Sequence, residues 1–152
     1  MEITIEKGHI KHLNDCEQAL LNSTLGKKYF SENKAAAKAV KEGLKQGTLF
    51  VAKAQDDCIG FAYYIPNGIF HSFPLLHLLA VKETHRGKGV GKKMLEFIEK
   101  LMVKNKLFLV VSDFNPNAKK FYEKNGYRQA GAIPNLYRNG ITEYLMFKEI
   151  NL

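Results

Sequence analysis

The feature that most restricts the fold of this chain is a strand, a glycine-rich loop and a long helix in direct succession. Leu75 to Val81 is a near-continuous apolar run, as expected of a strand buried on both faces. Lys82 to Arg86 follows, then the cluster Arg86-Gly87-Lys88-Gly89-Val90-Gly91. Met94, Leu95, Ile98, Leu101 and Met102 then recur at helical spacing and form one apolar stripe. Glycines between a strand and a helix let backbone approach a ligand without Cβ atoms in the way. The first N–H groups of the helix have no partner inside it, so they suit an anion. Lys88, Lys92 and Lys93 add positive charge nearby. The spacing excludes two nucleotide-binding patterns. Gly91-Lys92 is followed by Lys93 and not by Ser or Thr, and the glycines run G-x-G-x-G where a dinucleotide fingerprint needs G-x-G-x-x-G.

The rest of the chain reads as alternating strands and helices. Ile3 and Ile5 alternate with polar neighbours in a short first strand. Leu13, Cys16, Ala19 and Leu20 give Ile10 to Leu21 a helical period, and Ser31 reads as the N-cap of a second, Ala- and Lys-rich helix closing at Gly47. Leu49–Ala52 and Cys58–Ile65 read as strands joined by a turn at Ala54-Gln55-Asp56-Asp57. Leu107–Val111 is a further buried strand. A helix from Pro116 to Asn125 ends at Gly126, and Tyr127–Ala130 pairs with Ile141–Phe147 around Asn139-Gly140. The predicted order is β-α-α-β-β-β-α-β-α-β-β, an α/β class with a mixed sheet and helices on both faces. No linker or repeat divides residues 1–152, which read as a single domain.

Charge is unevenly placed. Of a net +8, residues 82–106 carry +5 and residues 119–152 carry +3. Such a field favours an anionic partner. The basic helix lacks a recognition motif or stacking platform for nucleic acid. No stretch is long and apolar enough for a membrane span, and the N-terminus lacks the layout of a signal peptide. Cys16 and Cys58 make neither a metal cluster nor a disulfide scaffold, so no metal site is expected and a cytoplasmic location is. No motif marks either cysteine as a nucleophile.

Leu79-Ala80-Val81 followed by Arg86-x-x-Gly89-x-Gly91 on a helix start resembles the acetyl-CoA pyrophosphate motif of the GNAT superfamily of N-acetyltransferases. About 25 residues later, the run from Asn115 to Tyr127 resembles that family's N-x-x-A-x-x-(F/L)-Y-E-x-x-G-(F/Y) segment. The order and spacing of the two motifs match the family, as does the element string. The resemblance implies a mostly antiparallel sheet of six to seven strands, splayed between the fourth and fifth to admit the pantetheine arm of acetyl-CoA.

It also assigns roles. Backbone groups of Leu79, Ala80 and Val81 would meet the pantetheine. N–H groups from Arg86 through Gly87, Lys88, Gly89 and Val90 to Gly91, with Lys92 beyond, would hold the pyrophosphate. Asn115, and after it Asn117, would contact pantetheine. Tyr122 matches the general acid that protonates the departing thiolate. His77, two residues before Leu79, stands where some members carry a water-linked base, and an imidazole suits proton transfer near neutrality. Glu83, His71 and His85 are weaker candidates. The implied activity is direct acetyl transfer from acetyl-CoA to a primary amine in a ternary complex, with an acetyl-CoA-binding module that has lost catalysis as the alternative. The resemblance also brings the family's common homodimer as an expectation. Segments 26–30, 67–72 and 133–137 match the family's acceptor-specificity regions but do not name the acceptor.

Overall fold

The computed structural model describes residues 1–151. Its elements are β1 (Ile3–Lys7), a 3-10 turn (Ile10–His12), α1 (Leu13–Leu21), α2 (Thr24–Tyr29), α3 (Ala35–Gln46), β2 (Leu49–Ala54), β3 (Asp57–Ile69) and β4 (Phe73–Val81). After a second 3-10 turn (Glu83–His85) come α4 (Val90–Leu101), β5 (Lys106–Ser112), α5 (Pro116–Lys124), β6 (Arg128–Pro134) and β7 (Thr142–Glu149). The seven strands hydrogen-bond in the order β1-β2-β3-β4-β5-β7-β6. The β1/β2, β2/β3, β5/β7 and β6/β7 registers are antiparallel, whereas β4 and β5 run parallel. This is the mixed, mostly antiparallel α/β sheet expected. The parallel register covers only Leu75↔Phe108 and Leu76↔Leu109, although β4 continues to Val81, in keeping with the expected splay. No helix among the described residues is long and apolar enough to cross a membrane.

The chain divides into two compact units, Met1–Tyr64 with Leu78–Lys100, and Ile65–His77 with the remainder from Leu101. In the first, Leu49, Ile59, Phe61, Tyr63, Met94 and Ile98 are fully buried. Tyr63 closes this core with its hydroxyl donated to Glu42 at 2.9 Å, so the one polar atom of a buried ring is satisfied. In the second, Phe108 is centred among aromatics. It stacks on Phe147 at 5.7 Å and meets Phe70 and Phe73 edge-on at 5.7 and 5.6 Å. Beside them Ser112 donates its hydroxyl to the buried Glu143 carboxylate at 2.6 Å.

Several local expectations change. Three helices, not two, separate β1 from β2. The extra one, α2, is capped by Ser23, whose hydroxyl oxygen accepts the Gly26 N–H at 2.9 Å. Gly26 is obligatory there, because a Cβ would fall 1.7 Å from the Leu20 carbonyl oxygen. Ser31 therefore caps nothing, and α3 starts instead after Lys34, which holds a left-handed φ of 57°. β4 is buried on one face only. Pro74, Leu76, Leu78 and Ala80 are covered, while Leu75, Leu79 and Val81 are half-buried and His77 is exposed. The last hairpin turns through a loop at 135–141, closed by the Gly140 N–H donating to Asn135 Oδ1 at 2.7 Å.

His12 has a built-in pH dependence. Its Nδ1 accepts the His9 N–H at 3.0 Å, and burial with Lys11 nearby holds its pKa below the usual imidazole value. A depressed pKa means the folded state favours neutral His12. That stability is present above about pH 6.5 and is lost as pH falls below it, since the unfolded chain then binds the extra proton. Thermal melts between pH 7 and pH 5 should show a falling Tm, and His12→Asn should flatten that slope; an unchanged slope would contradict this reading.

Candidate active site

The first unit carries the cofactor-loop candidates. Along β4, alternation puts Leu79 and Val81 on the half-buried face and Ala80 in the core. The Lys82 N–H donates to Ile59 O at 2.7 Å, which fixes where the loop leaves the sheet. The turn Glu83–His85 then leads into Gly87 and Gly89, at φ 74° and 81°. An added Cβ at either would meet nothing within 4 Å, so these glycines serve backbone conformation and not tight packing.

The consequence is a row of unused donors. The Arg86 N–H is taken by Glu83 O at 3.4 Å, and the Lys93 N–H by Gly89 O at 3.1 Å. Between them, the N–H groups of Gly87, Lys88, Gly89, Val90, Gly91 and Lys92 donate to no partner among the described residues. An ordinary helix start leaves about four such groups. Here the loop ahead of α4 lengthens the row, and the helix dipole favours negative charge at the same end. Lys88, Lys92 and Lys93 are exposed and enter no ion pair. Open space, consecutive donors and unpaired ammonium groups fit an oxyanion of the pyrophosphate kind. Arg86 departs from the expectation: its backbone N–H is occupied, and its guanidinium donates to Val81 O and Asn22 O, each at 3.0 Å.

The second unit carries the other candidates, Asn115, Asn117 and Tyr122 on α5 and His77 on β4. Asn115 caps α5, with Oδ1 accepting the Ala118 N–H at 3.4 Å, and its NH2 group makes no bond among the described residues. The cap orients the carboxamide and leaves its donors for a ligand. Asn117 is exposed in the first turn of α5, where a polar residue needs no ligand to explain it. Tyr122 meets the Phe121 and Tyr127 rings edge-on, at 5.2 and 5.8 Å. Burial pushes its phenol pKa well above the usual value, so it stays protonated at neutral and moderately alkaline pH. Its hydroxyl forms no hydrogen bond among the described residues. His77 is exposed on β4. Of the weaker base candidates, Glu83 and His85 lie in a 3-10 turn, with His85 Nδ1 2.8 Å from Thr84 Oγ1, and His71 sits at positive φ between β3 and β4. Cys16 is fully buried, and its hydrogen bond with the Cys58 thiol, with burial second, raises its pKa, which makes it a poor nucleophile.

Sequence reading missed two features. Lys82 is ion-paired with Asp15 of α1, and Glu143 is buried against Ser112. Both pairs are far apart in sequence and carry no local pattern.

A family model described as an acetyltransferase (GNAT) domain matches residues 45–129, more than half of the chain. An uncharacterized N-acetyltransferase of Methanocaldococcus jannaschii is 35% identical over 75 residues, which cover 47% of this chain and 48% of that protein. The matches to curated relatives span 28% to 61% of those proteins' own lengths. Among solved structures, a GNAT-family acetyltransferase of Bacillus cereus aligns over 100% of both chains with a TM-score of 0.83 at 19% identity. The PaiA N-acetyltransferase of Thermoplasma acidophilum, solved in complex with coenzyme A, aligns over 98% of this chain and 99% of its own with a TM-score of 0.74 at 22% identity. These structural likenesses speak for the fold, and the family model for membership. The chain belongs to the GNAT family of acetyltransferases.

Proposed function

We propose that this chain is an acetyl-CoA-dependent N-acetyltransferase that passes the acetyl group directly to a primary amine, on a small molecule, a protein N-terminus or a lysine. The observation that carries this reading is the row of six unpartnered N–H groups from Gly87 to Lys92, flanked by unpaired lysines, in a member of this family. A structural neighbour solved with coenzyme A supports the same cosubstrate. The chain would act as one acetyltransferase domain.

Bound acetyl-CoA supplies a thioester, an acyl group activated toward amines. The Gly87–Lys92 N–H groups would hold its pyrophosphate, and Lys88 and Lys92 would offset its charge. Backbone groups of Leu79 to Val81 and the Asn115 NH2 would position the pantetheine. Amine attack on a thioester releases a thiolate and leaves an ammonium, so one proton must be delivered and another removed. Tyr122 Oη would deliver the first. A phenol kept protonated by burial retains its proton until a thiolate forms beside it. His77 would take the second proton, directly or through water.

The test is incubation with acetyl-CoA and a panel of amines, with free thiol and acetylated amine both measured. The expected result is thiol release that depends on an amine and equals the product formed. Thiol released without acetylated amine would overturn direct transfer. With a working acceptor, His77→Gln should lower the rate about tenfold or more at unchanged acetyl-CoA affinity. An unaltered rate would remove His77 from the base role.

A further inference from the structure

The residues leading into the loop are basic, yet their charges are already committed. Lys82 pairs with Asp15 in the first turn of α1. Arg86 spans from Val81 O to Asn22 O, the carbonyl of the residue that caps the end of α1. Seven residues, about two helical turns or roughly 10 Å, separate the two attachment points. The segment 82–86 is thus fastened to α1 near each end of that helix. α1 is itself anchored by the buried Cys16, Ala19 and Leu20. Lys88, Lys92 and Lys93 have no such ties.

We propose that Asp15, acting through Lys82, is a positioning residue that holds the cofactor loop in its binding shape, with Arg86 as the second tie. This rests on the reading of the loop as the acetyl-CoA site. The inference has an unusual sign. Asp15 is a negative charge close to a loop that receives an anion, so simple electrostatics predicts tighter binding when it is neutralised. A tie predicts weaker binding, because loop order is lost.

The experiment is calorimetric acetyl-CoA binding to the whole chain and to Asp15→Asn, Lys82→Met, the double variant and Asp15→Glu. Amide hydrogen exchange at Lys82, His85 and Arg86, whose N–H groups are hydrogen-bonded to Ile59 O, Lys82 O and Glu83 O, is measured in parallel on the ligand-free proteins. Asp15→Asn should weaken binding about two- to fivefold, the range set by a part-exposed ion pair. Lys82→Met should do the same, the double variant should be no worse than the poorer single, and Asp15→Glu should restore most of the loss. Exchange at Lys82, His85 and Arg86 should quicken in Asp15→Asn at unchanged Tm. Tighter or equal binding in Asp15→Asn overturns the proposal. So does loss in Lys82→Met with none in Asp15→Asn, which would put the Lys82 ammonium on the ligand. Failure of the unaltered chain to bind would instead overturn the cosubstrate reading, while the exchange rates still judge the tie.

Discussion

Tyr122→Phe lowers kcat about 10²- to 10⁴-fold, the usual worth of a general acid, and leaves acetyl-CoA affinity within about twofold. The substitution removes one oxygen and keeps the ring, so the edge-on contacts with Phe121 and Tyr127 survive. The hydroxyl has no partner among the described residues, so its loss orphans no buried donor or acceptor and Tm should hold. The predicted signature is therefore a rate defect without a binding or folding defect. Acyl donors whose reaction releases a more acidic thiol should suffer less, because a better leaving group needs less protonation. Steady-state kinetics with two acyl thioesters of different thiol acidity provide the check. A variant that keeps its full rate would remove Tyr122 from the acid role.

Gly89→Glu weakens acetyl-CoA binding at least about 100-fold while the fold persists. Gly89 precedes α4 with φ at 81°, and space for a Cβ is open. A side chain there costs about 1–2 kcal/mol in left-handed backbone strain. A carboxylate at the start of a helix recovers roughly 0.3–1 kcal/mol of that. Net stability falls by little. Binding loses far more, because the new carboxylate can occupy the row of N–H groups and repel the pyrophosphate. Gly89→Ala separates the two effects, since it carries the strain without the charge and should lose less than about tenfold. Calorimetry on both variants, with melting curves, decides. Equal losses in the two would make conformation and not charge the cause, and no loss in either would remove the loop from the site.

The strand, loop and helix from Leu75 to Leu101 were legible because each signal is local. The apolar run, the glycines and the 3.6-residue stripe lie within 27 successive residues. What escaped was either short or distant. Six-residue α2 shows no full amphipathic period, and its stability depends on Ser23 and on the approach of Gly26 to the Leu20 carbonyl. β6 runs to Pro134 with almost every residue exposed, so no alternation marks it. The half-exposed face of β4 carries leucine and valine, which in a sequence look the same as a buried face. Motifs singled out Asn115, Tyr122 and the glycines as candidates. They could not show that Arg86 and Lys82 are tied to α1 while Lys88, Lys92 and Lys93 enter no ion pair. That division depends on contacts 64 and 67 residues apart.

The most direct test of the account is titration of the purified chain with acetyl-CoA by calorimetry, followed by thiol release from that complex when a reactive amine is added. The account predicts one acetyl-CoA per chain, affinity that falls as salt rises, and release only in the presence of the amine. Absence of saturable binding would contradict it at its base.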